Sequence, residues 1–513
     1  MAIRELRNSL VPVNLLPLDV LLLIPTHLAS LSERLLATFV CRHWRRSFVQ
    51  HAPLWSQLSL TGTTDRSLLI TLLERAKQSP LDITLCYSGS PMEDVTLLSP
   101  FAQQIRDLNV EDACQGDIQT LSNALPGSLP LLRTLRIEDN GYTYSSRPLF
   151  DPTLPLFSGA VNVNKLALRA FRSSFLSQLA FRTLTTLDLV GHWDKYPISL
   201  LLDFLEASPS LQKIKIAIVG RIPCEDVPQD RVLVLPCVKT FFLHFTSNSR
   251  GWEFASHLSC PSAERASFRL QPTHHSYGIP EDIYPPPLPW NAITCQYTMG
   301  MVEEVQLKFE VDEELTCSIT FWSSNEATLV FHYNHFIGSG HERNMTSAEK
   351  IGSDVFSRAS RAIRNHPLLA KVRRLRIQGG GLLAADLKLA TNDVGKLLGS
   401  VGPLDKLYLN GCDLRPYLDP FLEIPLFPDA IQPASFPPIK EFVIVDPIQS
   451  LFDNKAYAAA VVKLAKSQYA RGVPFGHVTL RPTAPSWVVE ELSLSVDVVE
   501  FGQILSGGGQ GQK

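Results

Sequence analysis

Apolar residues recur along most of the chain in a short pattern, apolar-x-x-apolar-x-apolar, in which x is mostly polar. The last three positions alternate with the two-residue period of a strand that buries one face. Each copy therefore predicts a short strand. The clearest copies lie at residues 105–110, 132–137, 163–168, 184–189, 211–216, 238–243, 372–377, 404–409 and 439–444, with weaker copies near 55–60, 80–85 and 475–480.

The spacing of these copies indicates an internal repeat. The central apolar residues of the first six clear copies lie 27, 31, 21, 27 and 27 residues apart. This is close to the period of about 20–29 residues that leucine-rich repeats show. Segments 198–208 and 456–471, which lie between copies, have helical patterns. An α/β fold containing an irregular leucine-rich repeat-like solenoid is predicted, and an ordinary α/β domain with a parallel sheet is the alternative.

The N-terminal segment has a different pattern, which predicts helices. A first helix follows a Leu-Pro pair, and Pro25 is expected to kink it because proline removes a backbone hydrogen bond. A second helix is predicted to begin at Ser30, which has capping-box spacing with Glu33, and to continue past Trp44. A short third element is expected over 47–51.

Residues 272–365 interrupt the series of copies. A proline-rich stretch covers 279–290, and apolar and polar residues then alternate from Val305 to Val311. Alternation with short turns favours antiparallel ribbons. The segment is either an insertion into the solenoid or a set of degenerate repeats.

Composition places the chain among packed globular proteins, with 45% hydrophobic and 19% charged residues among 513. The formal net charge of -3 favours neither nucleic acid nor membrane as a partner. Nine cysteines without a CxxC pair argue against a disulfide framework or a zinc ribbon. The longest N-terminal apolar run is too short to span a bilayer. A cytoplasmic or nuclear location is expected.

Residues 16–55 resemble an F-box. The resemblance is carried by LPLDVLLLIPTHL, then LSERLLATFVCRHWRR with its Val-Cys-x-x-Trp sequence, then PLW. The layout of the chain is similar to that of F-box proteins of mushroom-forming fungi. The resemblance implies a non-catalytic substrate receptor of an SCF-type, cullin-based ubiquitin ligase. Its partners would be a Skp-type adaptor, through it a cullin scaffold, and a target protein of unknown identity held by the repeats.

A helical hairpin of this size has more apolar side chains than it can bury internally. The resemblance assigns the excess to adaptor docking, while capping of the repeat array is the alternative use of the same helices. The adaptor-binding residues that it implies are Leu16, Pro17, Leu18, Val20, Leu21, Ile24, Leu28, Leu35, Val40 and Trp44.

The predicted organisation has five segments. An F-box-like helical domain covers 10–60, repeats cover 61–271 and 366–500, the interruption covers 272–365, and a disordered tail covers 501–513.

Polar positions beside each central apolar residue predict a target-binding face. The residues just before and just after it point to the same side of the strand. Lys213, Lys215, Arg374 and Arg376 are the candidate target-binding residues there. Because cations predominate, an acidic or phosphorylated target segment is one interpretation, and a solvated strand face is the other.

Motifs of enzymatic chemistry are absent from the sequence. It contains no phosphate-binding glycine loop and no GxSxG nucleophile elbow. His257 and Cys260 have the spacing of metal ligands but lack a second pair. No catalytic residue, cofactor or metal is therefore expected. A hydrolase or transferase within 272–365 is the enzymatic alternative.

Overall fold

The chain combines helices and strands, with helices at its N-terminal end. A computed structural model describes residues 11–28, 30–87, 93–113, 115–125, 129–138, 162–172, 181–192, 198–219, 228, 231–246, 254–255, 257–271, 304–311, 314–323, 326–336, 372–380, 401, 403–410, 439–445, 455–472, 474–480 and 486–501. The predicted disordered tail beyond residue 501 and the proline-rich stretch lie outside the described residues.

Three short helices open the described chain: α1 (Leu18–Thr26), α2 (Leu31–Ala37) and α3 (Arg42–Gln50). The predicted capping box is present at the start of α2, where Ser30 Oγ accepts from the Glu33 amide at 3.2 Å. Pro25 lies in the last turn of α1, which ends one residue later. Single-turn 3₁₀ helices precede α1 at Pro12–Leu15 and follow α3 at Ala52–Trp55.

The prediction of one helix from Ser30 through Trp44 is wrong, as is that of a separate element over 47–51. Helix α2 ends at Ala37, and the backbone is extended at Cys41. Helix α3 begins at the next residue and covers most of 47–51. A continuous helix would have placed Leu36, Val40 and Trp44 on one stripe, since they are four residues apart. The break separates them: Trp44 is buried, while Leu36 and Val40 are exposed.

Contacts within the chain divide it into two units, residues 1–227 and 228–513. In the first unit, seven strands pair in chain order, each parallel to the next. They are β1 (Gln57–Thr61), β2 (Leu81–Cys86), β3 (Ile105–Glu111), β4 (Thr134–Ile137), β5 (Lys165–Arg172), β6 (Thr186–His192) and β7 (Lys213–Val219).

The central leucines of the sequence pattern form one row across these strands. Leu135, Leu166, Leu187 and Ile214 are register partners on β4 to β7, and each is at most 1% exposed. The prediction that they are buried on successive parallel strands is confirmed. On each strand, the residues directly before and after the central one point to the opposite side of the sheet and are half-buried or exposed. This side is called the open face below.

Helical segments connect several of these strands: α4 (Arg66–Ala76), a 3₁₀ segment (Glu93–Gln104), α5 (Gln115–Ala124) and α6 (Ile198–Glu206). The 3₁₀ segment contacts both α4 and α5, so these helical connections neighbour one another in the order of the strands. Their buried side chains are mainly aliphatic, for example Leu72 and Leu121. Because each connection buries apolar residues beside the next, the core continues from one strand–helix pair to the next.

A tight turn precedes most strands and extends the apolar pattern. The Leu132 amide donates to the Leu129 carbonyl at 3.1 Å, and the Leu184 amide donates to the Phe181 carbonyl at the same distance. All four side chains are buried. The repeat is therefore longer than the strand motif, with an additional buried position three residues before it.

Ser208 occupies this additional position before β7. Its side chain is fully buried, and its hydroxyl has no hydrogen-bond partner in the described structure. We expect Ser208→Ala to raise the free energy of unfolding by about 1 kcal/mol, because a buried polar group without a partner is destabilising. Denaturant titration would measure this gain, and a loss of stability would show that the hydroxyl is hydrogen-bonded in solution. Ser210→Ala, at a less buried position nearby, is the control.

The described part of the second unit contains twelve strands. A small parallel pair joins β8 (Leu233–Val234) to β10 (Leu258–Ser259). The others are β9 (Thr240–Thr246), β11 (Arg265–Gln271), β12 (Glu304–Val311), β13 (Glu314–Ser323), β14 (Glu326–Phe336), β15 (Arg374–Gly380), β16 (Leu404–Asn410), β17 (Ile439–Val445), β18 (Phe475–Leu480) and β19 (Val496–Phe501). Strands β15 to β19 pair in chain order and in parallel, and helices α7 (Lys455–Ala470) and α8 (Ser486–Ser493) lie before β18 and β19.

The alternating segment near 305 forms the predicted antiparallel ribbons. Strands β12, β13 and β14 are a meander whose outer strands pair in parallel with β15 and β11. The backbone register continues on both sides of the meander: Val305 is level with Leu375, and Leu329 is level with Ala266. These three strands thus continue the sheet of the second unit, rather than forming a separate ribbon beside it.

Candidate functional site

Exposed apolar side chains concentrate on the N-terminal helices. Leu15, Leu36 and Phe39 are 65–68% exposed, although residues of these types are usually buried. The full set, called the N-terminal apolar surface below, consists of Leu15, Leu16, Leu18, Val20, Leu23, Leu36, Phe39 and Val40.

The residues implied as adaptor-binding divide into three groups by exposure. Leu16, Pro17, Leu18, Val20 and Val40 are exposed. Ile24, Leu28 and Leu35 are half-buried.

Leu21 and Trp44 are buried in the core of the helices, Leu21 completely. Trp44 meets Phe48 edge-to-face at 5.1 Å between ring centroids. These two residues can shape a docking surface from within, but they do not form it. Leu15, Leu23, Leu36 and Phe39 are large exposed residues that the predicted set lacks. For Leu36 and Phe39 the reason is the end of α2 before Cys41, which was not foreseen.

The junction between α2 and α3 is held by hydrogen bonds that keep Phe39 outward. Thr38 Oγ1 donates to the Leu35 carbonyl at 2.7 Å, and Arg45 Nε donates to the Thr38 carbonyl at 3.2 Å. The Arg45 guanidinium also lies over the Phe39 ring, 5.2 Å from its centroid. A cation over an aromatic face stabilises that ring position. The exposure of Phe39 is therefore built into the turn.

A second group of contacts fixes the helices to the first strand. Arg34 is only 6% exposed, and its guanidinium donates to the carbonyls of Leu54 and Gln57 at 2.7 and 3.0 Å. Burial lowers the pKa of the Arg34 guanidinium. Trp55 is buried, donates from Nε1 to the Phe48 carbonyl at 2.9 Å and lies beneath the Arg75 guanidinium of α4. Arg34 and Trp55 thus connect the helices to β1 and α4 of the first unit.

The predicted target-binding lysines lie on the open face of the first unit. Lys213 is exposed and level with Thr186, while Lys215 lies 3.4 Å from Asp188 on β6. Further along the same face, Glu138 pairs with Arg136 and Arg169. The predicted row of positions therefore exists, but carboxylates neutralise part of its positive charge.

The predicted target-binding arginines lie on β15 in the second unit. Arg374 is exposed, and Arg376 stacks on Tyr408 with its guanidinium carbon 4.3 Å from the ring centroid. Its Nε is buried without a hydrogen-bond partner in the described part of the chain. On β16, a hydrogen bond from Lys440 lowers the pKa of Asp405, and the field of Arg374 lowers it further.

His257 and Cys260, which have metal-ligand spacing, serve packing. His257 is 5% exposed with Nδ1 2.7 Å from the Arg231 carbonyl, and Cys260 is buried. Among the described residues, no group of three histidine, cysteine, aspartate or glutamate side chains is placed to hold a metal ion.

Within the described ranges, no helix has both the length and the apolar character needed to span a membrane. No protein-family model matches the chain, and no curated protein matches it significantly.

Proposed function

We propose that the chain is a non-catalytic substrate receptor of an SCF-type ubiquitin ligase. The N-terminal apolar surface would bind a Skp-type adaptor, and the parallel strand series, a leucine-rich repeat-like solenoid, would hold the target. In this proposal other subunits, connected through a cullin scaffold, transfer ubiquitin. The observation that best supports this proposal is that Leu36 and Phe39, which are strongly exposed, lie within the segment that resembles an F-box.

The direction of the apolar side chains supports docking over simple capping. A cap would turn its apolar residues toward the first strand, as Trp55 and the buried stem of Arg34 do. The residues of the N-terminal apolar surface are exposed instead, and exposed large apolar residues concentrated in one segment of the chain suit an interaction site. In this proposal, one set of side chains packs the helices on the first strand, and the exposed set binds the adaptor.

A scaffold that uses these helices only as a cap is the second candidate function. The buried contacts of Arg34 and Trp55 favour it, because they are what a capping segment needs. Both candidates share the packing side of the helices and differ only in whether the exposed side binds an adaptor.

Adaptor binding by the full chain tests the proposal. We expect Val20→Asp with Leu23→Asp to weaken binding to a co-expressed Skp-type adaptor about 100-fold, since two buried interface side chains together contribute about 3 kcal/mol. Both side chains are exposed and one helical turn apart, so the melting temperature should not change. Ile70→Asp on α4, which changes an apolar residue of 40% exposure outside this surface, is the matched control.

Isothermal titration calorimetry or a quantitative pull-down would measure the effect. Wild-type binding that the double variant retains would place docking elsewhere. Failure of the wild-type chain to bind any Skp-type adaptor would leave the cap as the function of these helices.

A further inference from the structure

The open face of the first unit carries an ordered gradient of charge. On β2 and β3, three carboxylates, those of Asp82, Asp107 and Glu111, stand against one guanidinium, that of Arg106, which leaves a net charge of -2. At β4, Arg136 and Glu138 cancel, and the exposed Arg133 directly before the strand adds one positive charge. On β5 to β7, the described residues of this face include four cations, Lys165, Arg169, Lys213 and Lys215, and one carboxylate, Asp188. Their net charge is +3.

Register makes this gradient continuous across neighbouring strands. Asp82, Asp107 and Thr134 are level on β2 to β4, and Lys165, Thr186 and Lys213 continue the same row to β7. With about 4.8 Å between strands, the acidic and basic ends are about 17 Å apart. This exceeds the Debye length of about 8 Å in physiological salt, so a ligand experiences each end separately.

Ion pairs already engage Glu138 beside β4 and Asp188 on β6. Glu138 Oε1 lies 3.1 Å from Arg169 Nε, and Asp188 Oδ2 lies 3.4 Å from Lys215 Nζ. These two carboxylates are 19% and 24% exposed, so the pairs are partly shielded from water. Arg169 and Lys215 therefore offer less uncompensated charge to a partner than the unpaired cations of β5 to β7.

The ends retain uncompensated charge. In the described part of the first unit, neither Lys165 nor Lys213 lies within ion-pair distance of a carboxylate, and both are exposed. At the other end, Arg106 engages Asp82 with two nitrogens, at 3.0 and 2.6 Å, and reaches Asp107 only at 3.5 Å. Glu111 accepts a hydrogen bond from the neutral Asn109 amide. Asp107 and Glu111 therefore keep most of their negative charge.

We propose that this face binds a polypeptide segment of mixed charge that lies across the strands, with its basic residues over β2–β3 and its acidic residues over β5–β7. The inference rests on the proposed function, in which the repeats hold a target, and it specifies the chemistry of that target. A uniformly acidic segment is disfavoured because its far end would lie against Asp107 and Glu111. Five extended residues span the 17 Å between the ends.

A second copy of the chain also has complementary charge, because a two-fold axis would place the acidic end of one face over the basic end of the other. The composition of the face argues against this occupant. Stable homodimer interfaces are rich in apolar residues, whereas the open face exposes mainly charged and small polar side chains.

Peptide binding to the purified full chain tests this proposal without an adaptor. The block peptide has three lysines, a Gly-Ser spacer and three glutamates, and the control peptide has the same residues with lysine and glutamate alternating. Each exposed ion pair contributes modestly, so we expect the block peptide to bind about tenfold more tightly at low ionic strength. This preference should disappear in high salt.

Charge reversal locates the site. Lys165→Glu with Lys213→Glu should abolish the preference for the block peptide, and so should Asp107→Lys with Glu111→Lys at the other end. Lys239→Glu, which changes an exposed lysine of the second unit, should have no effect. Circular dichroism would confirm that each variant is folded.

Three results would overturn the proposal. Equal affinity for the block and alternating peptides would exclude recognition of charge order. Tighter binding of hexaglutamate than of the block peptide would show a receptor for acidic segments. A salt-sensitive dimer in sedimentation that Lys213→Glu dissociates would assign the face to a second copy. None of these results bears on adaptor binding, so the two proposals can fail separately.

Discussion

Leu187→Ala is expected to destabilise the first unit by about 2–5 kcal/mol, the range observed when a well-packed core leucine is truncated. Leu187 is completely buried on β6, level with Leu166 on one side and Ile214 on the other. Truncation therefore leaves a cavity between three strands, and the surrounding backbone pairing limits how far they can collapse into it. Chemical denaturation followed by circular dichroism would measure the loss.

Thr186→Ala is the matched control, because Thr186 is the neighbouring residue on the open face of the same strand. Substitutions at such positions usually change stability by less than about 0.5 kcal/mol. Hydrogen exchange would locate the effect, since amides of β5 to β7 should lose protection in Leu187→Ala. Equal stability of the two variants would contradict the assignment of Leu187 to the core.

The position of Leu187 could be predicted from sequence because its strand motif is made of leucines at fixed spacing. Strand β11 follows the same rule but was missed. The buried positions of this copy and its preceding turn are occupied by Cys260, Ala263, Ala266 and Phe268, of which only the last is large. A small side chain can occupy a core position where the register partner on the adjacent strand is bulky, and Ala266 of β11 is level with Phe241 of β9. A search for the longer pattern, which includes the turn residue, would have found this strand.

The charge of the open face illustrates a different limit. Lys215 looked like one cation of a positive row, yet Asp188 neutralises it from the adjacent strand. The two residues are 27 positions apart, and each follows the central apolar residue of its copy, so the repeat itself predicts that they are neighbours. Aligning copies by register, rather than counting cations along one row, would have revealed the pair.

The helix break at Cys41 had no comparable periodic signal. Leu36, Val40 and Trp44 have ideal helical spacing, but their burial differs because only Trp44 packs against Phe48 and the other helices. Tertiary packing outweighs local periodicity here. The same break produces the exposed Phe39, so the most distinctive part of the candidate docking surface was the hardest to predict.

Arg34→Ala is expected to loosen the N-terminal helices while leaving most of the sheet intact, at a cost of about 2–4 kcal/mol. The Arg34 guanidinium bonds the carbonyls of Leu54 and Gln57, so its loss leaves two acceptors near the core without a donor, at about 1–3 kcal/mol for each such group. Arg34→Lys should be intermediate, because an ammonium cannot reproduce the forked geometry that reaches both carbonyls.

Arg46→Ala is the control, since it removes an exposed guanidinium from the adjacent α3 helix. Hydrogen exchange should show faster exchange in α2 and in the 3₁₀ helix at Ala52–Trp55 for Arg34→Ala, with β3 and β4 unchanged. If the helices bind an adaptor, the affinity should also fall, because the docking side chains lose their fixed positions while remaining chemically intact. Unchanged exchange together with unchanged adaptor binding would show that Trp55 and its neighbours fix the helices without this arginine.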